Sequence, residues 1–516
     1  MAGVVTALVA LGVGELVAGL LVGAPSPLAA VGSALIDYAP PGSKEVVVGL
    51  FGTNDKAALM ILVAAVVLLL GAGVGVLARR RIGLAAGVVA GVALVGLLAA
   101  SRQPGASLSL VLVLAALQVA AAVQSLSILL AAARPRLAAD PVRTAAIAGA
   151  GAASPTPAGA SRRGFLVRAG ALASLAVIGG GAGRMLLDRR AQGAATADAA
   201  IPPPVDPVPS APPDASLTVP GISPVITPNA DFYRIDTALI TPAVDITTWQ
   251  LRVHGMVDRE VTLSFDQLVE LPLIERYVTI ACVSNEVGGR LVGNAKWTGV
   301  NLADVLDMAG VQAGATQVVP RSVDGWTAGF PTAWLHDPAH PREALIAVKM
   351  NDAPLPAEHG FPARLIVPGL YGYVSATKWL NDIELTTLEA FDAYWVPRGW
   401  AKEAPILTQS RIDVPRDGSN VRTGPVTIAG VAWAPDRGIE KVELSVDGGP
   451  WQPARLATEL SPATWVQWML PWQATPGDHV IEVRATDGTG EVQTDLVTRP
   501  DPDGARGHHR IAVHAA

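Results

Sequence analysis

The sequence predicts a multidomain protein: an N-terminal all-α transmembrane domain, a central α+β domain, and a C-terminal all-β sandwich of immunoglobulin type. Three observations predict this order. Long apolar stretches are confined to residues 1–187, mixed helix and strand signals occupy 229–400, and short alternating strands occupy 405–515. A chain of this length is expected to form about two to four domains.

Composition separates the two halves of the chain. The hydrophobic fraction is 50% and the mean hydropathy is +0.39, which is too apolar for an ordinary soluble enzyme. All twelve tryptophans and all eight histidines lie beyond residue 248. The net charge of -6 and the absence of a long basic stretch argue against a nucleic-acid partner.

The first domain, residues 1–187, contains five apolar stretches. Crossing a bilayer core of about 30 Å takes about 20 helical residues. The stretches are 4–23, 57–77, 82–100, 108–133 and 165–187. Basic residues group at Arg79-Arg80-Arg81, at Arg134 and Arg136, and at Arg162-Arg163. Because basic loops stay cytoplasmic, we expect a multi-pass cell-membrane protein whose soluble half, after Leu187, is extracytoplasmic.

The start of the fifth stretch reads Ser161-Arg162-Arg163-Gly164-Phe165-Leu166. This motif looks like a twin-arginine export signal, which moves folded domains that often already hold a cofactor. The alternative is an ordinary basic anchor beside a membrane helix. No small-residue cleavage motif follows, so we expect the fifth helix to remain as an anchor.

The membrane domain has no histidine and no cysteine, which excludes bis-histidine haem and iron–sulfur ligation within it. Glu15 is the one acid well inside a proposed span. An acid at this depth suggests quinone or proton chemistry.

Residues 188–228 are rich in proline, which predicts a semi-rigid spacer. In the α+β domain that follows, Ser264 begins a helix, with Gln267 three residues later as a capping box. A second helix begins at Asn301 and ends at Gly310.

The third domain, 405–515, shows strand patterns at a spacing of about ten residues. Val442, Leu444 and Val446 alternate with polar residues before a turn at Asp447-Gly448. A similar alternation precedes Asp487-Gly488. The pattern indicates an immunoglobulin-type sandwich without the disulfide of that fold.

Cys282 is the only cysteine, so an intrachain disulfide, a CxxC metal site and CxxCH haem attachment are all excluded. It follows a β-like stretch and precedes the loop Val283-Ser-Asn-Glu-Val-Gly-Gly289. Chemistry is often presented where a rigid strand meets a loop. The alternative is a buried cysteine that acts as a small hydrophobe.

Four segments of the soluble half resemble the sulfite oxidase family of molybdopterin enzymes, over about residues 225–515. They are Asn229-Ala-Asp-Phe-Tyr-Arg234, Cys282 at a strand end, His359-Gly-Phe-Pro-Ala-Arg364 with Gly369, Gly372 and Lys378-Trp379 after it, and Asp503-Gly504-Ala-Arg-Gly-His-His-Arg510. The resemblance implies that Cys282 ligates molybdenum, a role that suits a soft thiolate. It also implies that Arg364 and Lys378 bind the pterin phosphate.

The resemblance implies a set of residues that bind molybdenum and molybdopterin: Asn229, Phe232, Tyr233, Cys282, Ser322, His359, Arg364, Gly372, Ser375, Thr377 and Lys378. It also implies a dimerisation role for the sandwich, which allows a homodimer. The candidates for the catalytic face are Cys282, Trp326, Arg321, Asn285 and Glu286.

The chain departs from sulfite oxidase where substrate binds. The loop after Cys282 lacks that family's paired arginines, Gly372-Tyr-Val-Ser375 lacks another arginine, and Trp326 replaces a tyrosine. A dianion such as sulfite needs cations near the metal, and Arg321 or Arg290 would have to substitute.

The leading hypothesis is a membrane-anchored molybdenum oxidoreductase that transfers an oxygen atom. The alternatives are an S- or N-oxide reductase with the same cofactor and a membrane-tethered scaffold protein without enzymatic activity. No haem or iron–sulfur motif occurs in the chain, so the electron partner is expected to be external, either the quinone pool or a c-type cytochrome.

Overall fold

The computed structural model describes residues 1–40, 50–51, 55–78, 80–133, 162–195, 200–335 and 343–516. The chain divides into two compact units. The first comprises Met1–Arg190 with Ala238–Ile240, and the second comprises Ala191–Thr237 with Thr241–Ala516. Four residues that entered the topology argument, Arg79, Arg134, Arg136 and Ser161, lie outside the described residues.

The described part of the first unit is mostly helical. Its helices are α1 (Ala2–Leu20), α2 (Pro27–Asp37), α3 (Asp55–Leu77), α4 (Ile82–Ser101), α5 (Leu108–Ala133) and α6 (Arg162–Ala195). All except α2 are long and apolar enough to cross a membrane, which agrees with the five apolar stretches. The sequence analysis missed α2, although Ser26 caps it and Pro27 occupies its first turn.

Small residues let α1 approach its neighbours closely. The facing pairs are Gly3 with Gly71 of α3, Gly12 with Ala176 of α6, and Gly19 with Gly183 of α6. A side chain added at any of these α1 glycines would collide with the backbone of the opposite helix. Such contacts between small residues are a recurring way for apolar helices to associate in membranes.

Glu15 of α1 is buried and fully engaged. Its carboxylate accepts a hydrogen bond from the Ser26 hydroxyl at 2.8 Å and another from the Leu28 amide at 3.1 Å. Both donors belong to the start of α2, where a negative charge is stabilised by the helix dipole. In this structure Glu15 therefore anchors α2 to α1.

The second unit begins with the α+β region. Its strands are β1 (Gln250–Gly255), β2 (Val261–Ser264), β3 (Leu273–Ala281), β4 (Val292–Asn301), β5 (Gln317–Ser322), β6 (Phe330–Pro331), β7 (Leu345–Met350), β8 (Ala353–Pro354), β9 (Arg364–Ile366) and β10 (Leu380–Thr386). Its helices are α7 (Phe265–Val269), α8 (Leu302–Ala309) and α9 (Gly372–Ser375). One sheet has the order β2-β1-β10-β5-β6, and the other has the order β3-β4-β7-β8 with β9 paired to β7.

Both expected helix starts are confirmed. Ser264 and Gln267 form a reciprocal capping box at α7. Asn301 caps α8 by accepting a hydrogen bond from the Ala303 amide at 3.0 Å. Gly310 ends α8 with a φ of +72°, a conformation that glycine adopts without strain.

The C-terminal region forms the expected sandwich. Its strands are β11 (Gln409–Val414), β12 (Ser419–Val421), β13 (Gly424–Trp433), β14 (Ile439–Val446), β15 (Gln452–Pro453), β16 (Arg455–Leu456), β17 (Val466–Ala474), β18 (Gly477–Asp487) and β19 (His509–Ala515). The two sheets have the orders β11-β13-β17-β16 and β12-β19-β18-β14-β15. Alternate residues such as Val442, Leu444, Ile481 and Val483 are fully buried between the sheets.

The proline-rich segment differs from the expected free spacer, because its described part, residues 200–228, packs along the second unit. The Val205 amide donates to the Leu273 carbonyl at 2.8 Å, and the Thr227 amide donates to the Asn294 carbonyl at 2.8 Å. The Leu217 amide donates to Gln467 in the sandwich at 2.6 Å. Extended backbone exposes its amides and carbonyls, so the segment pairs with both folds of the unit.

Candidate active site

Cys282 lies directly after β3 and is buried. Strands β3 and β4 pair along their whole length up to Ala281 and Val292. The Cys282 amide continues this pairing by donating to the Leu291 carbonyl at 2.8 Å, and the Cys282 carbonyl accepts from the Asn285 amide at 3.0 Å. The sheet therefore determines where the thiol lies.

Tyr233 and α9 lie next to this strand end. A Cβ added to Gly372 would lie 3.6 Å from the Ala281 carbonyl oxygen and 3.8 Å from the Tyr233 hydroxyl. Burial raises the pKa of Tyr233, Cys282 raises it further, and Arg364 lowers it. Tyr233 therefore lies within electrostatic reach of both the thiol and Arg364.

Arg364 is a buried cation, with 3% of its surface exposed. It donates to the His359 carbonyl at 3.1 Å, and its guanidinium carbon lies 5.0 Å from the centre of the Trp297 ring. No carboxylate among the described residues pairs with it, and its Nε has no hydrogen-bond partner there. Burial lowers its pKa to about 10, so it remains charged at neutral pH.

Lys378 is the second buried cation. Its ammonium donates to Asp236 Oδ2 and to the Glu358 carbonyl, both at 2.9 Å. Burial lowers its pKa to about 8, and Asp236 opposes this effect. Burial and Asp236 raise the pKa of Asp324, and Lys378 lowers it. Asp324 and the loop that it shares with Ser322 therefore lie near Lys378.

His359 and Thr377 complete this buried group. His359 forms a hydrogen bond through Nε2 to the Asn229 carbonyl at 3.0 Å, so Nε2 carries the proton and Nδ1 can only accept. Burial, Arg364 and Lys378 lower the pKa of His359 to about 3, so its ring is neutral. Neither His359 Nδ1 nor Thr377 Oγ1 has a hydrogen-bond partner among the described residues.

We call Tyr233, His359, Arg364, Thr377 and Lys378 the cradle. Buried polar atoms almost always have partners, because leaving one unpaired costs about 1–3 kcal/mol. Three atoms without partners, in His359, Arg364 and Thr377, therefore indicate a polar ligand. Arg364 is buried without a carboxylate partner among the described residues, so the cradle favours an anionic ligand.

Other residues of the predicted site have different surroundings. The Asn229 amide donates to the Met350 carbonyl at 3.1 Å, leaving its backbone carbonyl to meet His359. The Ser375 hydroxyl donates back to the carbonyls of Leu370 and Tyr371. Phe232 stacks on Tyr233 with a ring separation of 5.4 Å and supports the cradle from the core.

Arg321 is engaged away from the cradle. Its guanidinium pairs with Glu384 and Asp382 of β10, the strand next to its own, and lies 4.9 Å from the centre of the Phe391 ring. The interstrand register of β5 and β10 explains this, because Arg321 faces Asp382 directly. In this structure Arg321 is thus paired with carboxylates of its own sheet, and its place on the substrate face stays a prediction.

The remaining candidates of the catalytic face take three positions. Asn285 Oδ1 accepts from the Leu291 amide at 2.7 Å and so closes the loop after Cys282. Glu286 is exposed on the same loop. Trp326 is partly buried against the main core.

The sequence analysis missed contacts that the sandwich makes with the loop 283–290. Arg411 donates to the Gly289 carbonyl at 2.8 Å, and its guanidinium is held by Asp413. The His509 ring occupies the space where a side chain on Gly288 would lie. Of these residues, only Gly288 and Gly289 stood out in the sequence. Contacts between segments that are distant in sequence leave no local pattern.

Tyr371 was also missed. A Cβ on Gly504 would lie 2.6 Å from the Tyr371 hydroxyl, so this loop of the sandwich closes over the ring. Burial raises the pKa of Tyr371 to about 12, a Leu407 backbone hydrogen bond lowers it, and Cys282, Arg506 and Asp503 also act on it. The sandwich thus reaches the surroundings of Cys282.

Comparison with known proteins agrees with both folds. The family model "Oxidoreductase molybdopterin binding domain" matches residues 238–395, and "Bacterial Ig domain" matches residues 409–483. Human mitochondrial sulfite oxidase is 32% identical over 320 residues, which cover 53% of this chain and 58% of that protein. The chain thus spans less than two thirds of this curated relative.

Two further proteins are similar to parts of the chain. An uncharacterized oxidoreductase of Bacillus subtilis, YuiH, is 36% identical over 156 residues, which cover 30% of this chain and 74% of that protein. The solved structure of the sulfane dehydrogenase SoxCD from Paracoccus pantotrophus has a TM-score of 0.49 and 22% identity, and covers 58% of this chain and 82% of that one.

The class that these matches define is the molybdopterin-binding oxidoreductases. Within it, the chain belongs to the sulfite oxidase family, as its resemblance predicted. The cofactor of this family is molybdopterin-bound molybdenum.

The cradle fits this cofactor. The pterin carries a phosphate and a hydrogen-bonding ring system, and the cradle supplies buried cations together with donors and acceptors that lack protein partners. Among the described residues, no three His, Cys, Asp or Glu side chains could hold a metal ion together.

Proposed function

We propose that this protein is a membrane-anchored molybdopterin-dependent oxidoreductase that transfers an oxygen atom at a molybdenum ligated by Cys282. The observation that carries the proposal is the buried Arg364, which has no carboxylate partner and no hydrogen-bond partner at Nε within the described part of the chain, together with His359 Nδ1 and Thr377 Oγ1. Membership of the sulfite oxidase family supports it.

The bound cofactor would supply two-electron oxygen-atom transfer. The roles of the protein's own groups follow from their charge. Arg364 and Lys378 would hold the phosphate, the first through parallel N–H donors and the second as a point charge. Neutral His359 would accept a hydrogen bond through Nδ1, because its depressed pKa keeps that nitrogen unprotonated. Tyr233 would remain protonated beside the thiolate, since its pKa is raised.

We further propose that the five apolar helices cross the cell membrane and that the second unit is extracytoplasmic. Basic residues at the start of α6 support this orientation, since Arg162 and Arg163 are exposed there. The same pair would serve a twin-arginine export signal, which would deliver the second unit folded with its cofactor. Electrons would pass to or from an external partner, the quinone pool or a c-type cytochrome.

The test is the molybdenum content of the detergent-purified full chain beside its Cys282→Ala variant. We expect about one metal per chain in the wild type, and loss of metal or of visible absorbance in the variant. Ser284→Ala, an exposed position on the same loop, is the matched control and should keep both. A wild-type chain without molybdenum, made in a host that loads a control molybdoenzyme, would contradict the proposal.

A further inference from the structure

The C-terminal sandwich has a cavity on its larger sheet, the one with the order β12-β19-β18-β14-β15. The volume of the cavity is about 440 Å³, and small-molecule sites in proteins span about 300–1,000 Å³. We call it the sandwich cavity. The residues of its lining that matter below are Ser445, Trp451, Glu482, Arg484, Thr494 and Arg510.

The floor of the sandwich cavity consists of outward-facing side chains on three neighbouring strands. Because side chains alternate along a strand, the residues between the buried core positions of β14, β18 and β19 point away from the core. In one row Ser445 faces Glu482, and Glu482 faces Arg510. In the next row Glu443 faces Arg484. The strand register thus brings these polar groups to one surface.

The cations of this floor are paired with carboxylates. Arg484 donates through Nε and Nη2 to Glu443 Oε2, at 3.0 and 2.9 Å. Arg510 donates to Glu482 Oε1 at 3.0 Å, and His508 forms a hydrogen bond through Nδ1 to the same oxygen at 2.7 Å. Within the described part of the chain, Arg484 Nη1 and Glu482 Oε2 form no hydrogen bond. The pairs therefore keep one donor and one acceptor for a ligand.

The walls of the sandwich cavity are fixed by hydrogen bonds within the protein. The Ser445 hydroxyl donates to the Gly449 carbonyl at 2.7 Å, which holds the loop that carries Trp451. Gln493 is buried and donates to the Gly507 carbonyl at 2.8 Å. The concave shape therefore forms without a ligand.

Trp451 supplies the apolar surface of the sandwich cavity. The guanidinium carbon of Arg484 lies 4.2 Å from the centre of its ring, and the His508 ring meets it at 5.5 Å with 84° between the planes. These contacts fix the orientation of the indole, which stays partly exposed. The face of an aromatic ring is electronegative, so it attracts the polarised C–H groups of a sugar.

We propose that the sandwich cavity binds a neutral saccharide. A sugar ring combines an apolar C–H face with hydroxyls that donate and accept, which matches an indole beside guanidinium donors and carboxylate acceptors. A charged ligand would find its counter-ions already used, because Glu443 neutralises Arg484 and Glu482 neutralises Arg510. This inference is independent of the proposed function.

The test measures the binding of oligosaccharides to the full chain by isothermal titration calorimetry. The protein is purified in a detergent without a sugar headgroup, because a maltoside would compete. Maltotriose, cellotriose and mannotriose are the neutral probes, trigalacturonate is the anionic probe, and the glucosamine trimer is the cationic probe. We expect at least one neutral probe to bind saturably, at about one site per chain, and both charged probes to bind about tenfold more weakly or worse.

Two variants assign this binding to the sandwich cavity. Trp451→Ala removes the aromatic anchor and should weaken the binding of the neutral probe by about tenfold or more. Thr494→Arg extends a long side chain from an exposed position of the lining and should weaken binding as much. Trp472→Ala is the matched control and should leave the affinity unchanged, because Trp472 is a partly buried tryptophan of the same sandwich that meets the His479 ring at 5.0 Å.

The inference is overturned if none of the neutral probes binds, or if a charged probe binds more tightly than all of them. It is also overturned if a folded Trp451→Ala variant binds as tightly as the wild type. Where Trp451→Ala does not fold, unchanged binding by Thr494→Arg has the same meaning. An equal loss of affinity in Trp472→Ala would contradict the inference too. Molybdenum content should be the same in all these variants, so the proposed function is tested separately.

Discussion

The cradle and the loop 283–290 lie at the same site but are organised in opposite ways. In the cradle, three buried polar atoms, in His359, Arg364 and Thr377, have no partner among the residues that the structure describes. The loop is closed by the protein itself, through the Asn285 side chain and the Arg411 guanidinium. The difference indicates that a ligand completes the cradle, whereas the protein alone positions the loop that carries the thiol.

Substitution of Arg364 should produce the largest effect on this comparison. Arg364→Met removes the buried cation while keeping much of its volume, and charge-assisted hydrogen bonds contribute about 1.5–3 kcal/mol each. We expect molybdenum content to fall by about tenfold or more. Arg252→Met, which breaks an exposed pair with Glu260, is the control and should keep its metal. Full metal content in Arg364→Met would show that the protein alone satisfies the cradle.

Substitution of Arg411 should have a smaller effect of a different kind. Arg411→Met frees the Gly289 carbonyl, so the loop shifts while the cradle stays intact. Since small misplacements of reacting groups are costly, we expect kcat to fall by about tenfold at unchanged molybdenum content. The Mo(V) resonance spectrum should change as well, and Arg411→Lys should partly restore it. Arg510→Met, at an exposed position of the same sandwich, should leave the spectrum unaltered. An unaltered spectrum in Arg411→Met would show that the hydrogen bond from Arg411 to the Gly289 carbonyl does not position the loop.

The buried ionisable residues of the cradle should also make the free energy of unfolding depend on pH. Burial lowers the pKa of His359 from 6.5 to about 3 and the pKa of Lys378 from 10.5 to about 8. Between each pair of pKa values the unfolded chain binds more protons, so stability rises with pH in both windows. In thermal melting of the cofactor-free protein, stability should rise with pH in both windows. His359→Gln should flatten the rise in the acid window, and Lys378→Met should flatten the rise in the alkaline window. Unchanged slopes in these variants would contradict the assignment.

The smallest effect is expected at Arg321. Its guanidinium serves the pairing with Glu384 and Asp382, and partly exposed ion pairs contribute about 1 kcal/mol or less. Arg321→Met should therefore change kcat/KM by less than about twofold, with a small loss of thermal stability. A large loss of activity at full molybdenum content would instead support a place for Arg321 on the substrate face.

Local signals predicted the fold well. Ser264 with Gln267, Asn301 with Gly310, and the alternation around Val442 each depend on neighbours in sequence, and all three appear in the structure. Helix α2 was missed because eleven residues are too few for the length criterion of a membrane span. The packing of residues 200–228 was missed because proline content predicts backbone conformation and not its partners.

The candidate site was predictable only in part. Residues of one motif, such as His359 and Arg364, lie in contact in the structure. Arg321 could not be assigned, because the register of β5 against β10 decides which carboxylate it meets. Tyr371 and Arg506 are far apart in sequence, and only the docking of the sandwich brings them to one place.

The packing of residues 200–228 has a practical consequence for producing the second unit by itself. A soluble fragment cut where the molybdopterin family match begins, at Ala238, would lack Asn229, Tyr233 and Asp236 of the site. It would also expose the amides and carbonyls that now pair with Val205, Leu217 and Thr227. We expect such a fragment to aggregate during purification. A fragment that starts at Ile201 retains these contacts without the apolar helices, so protease trimming of the native chain should stop near that point.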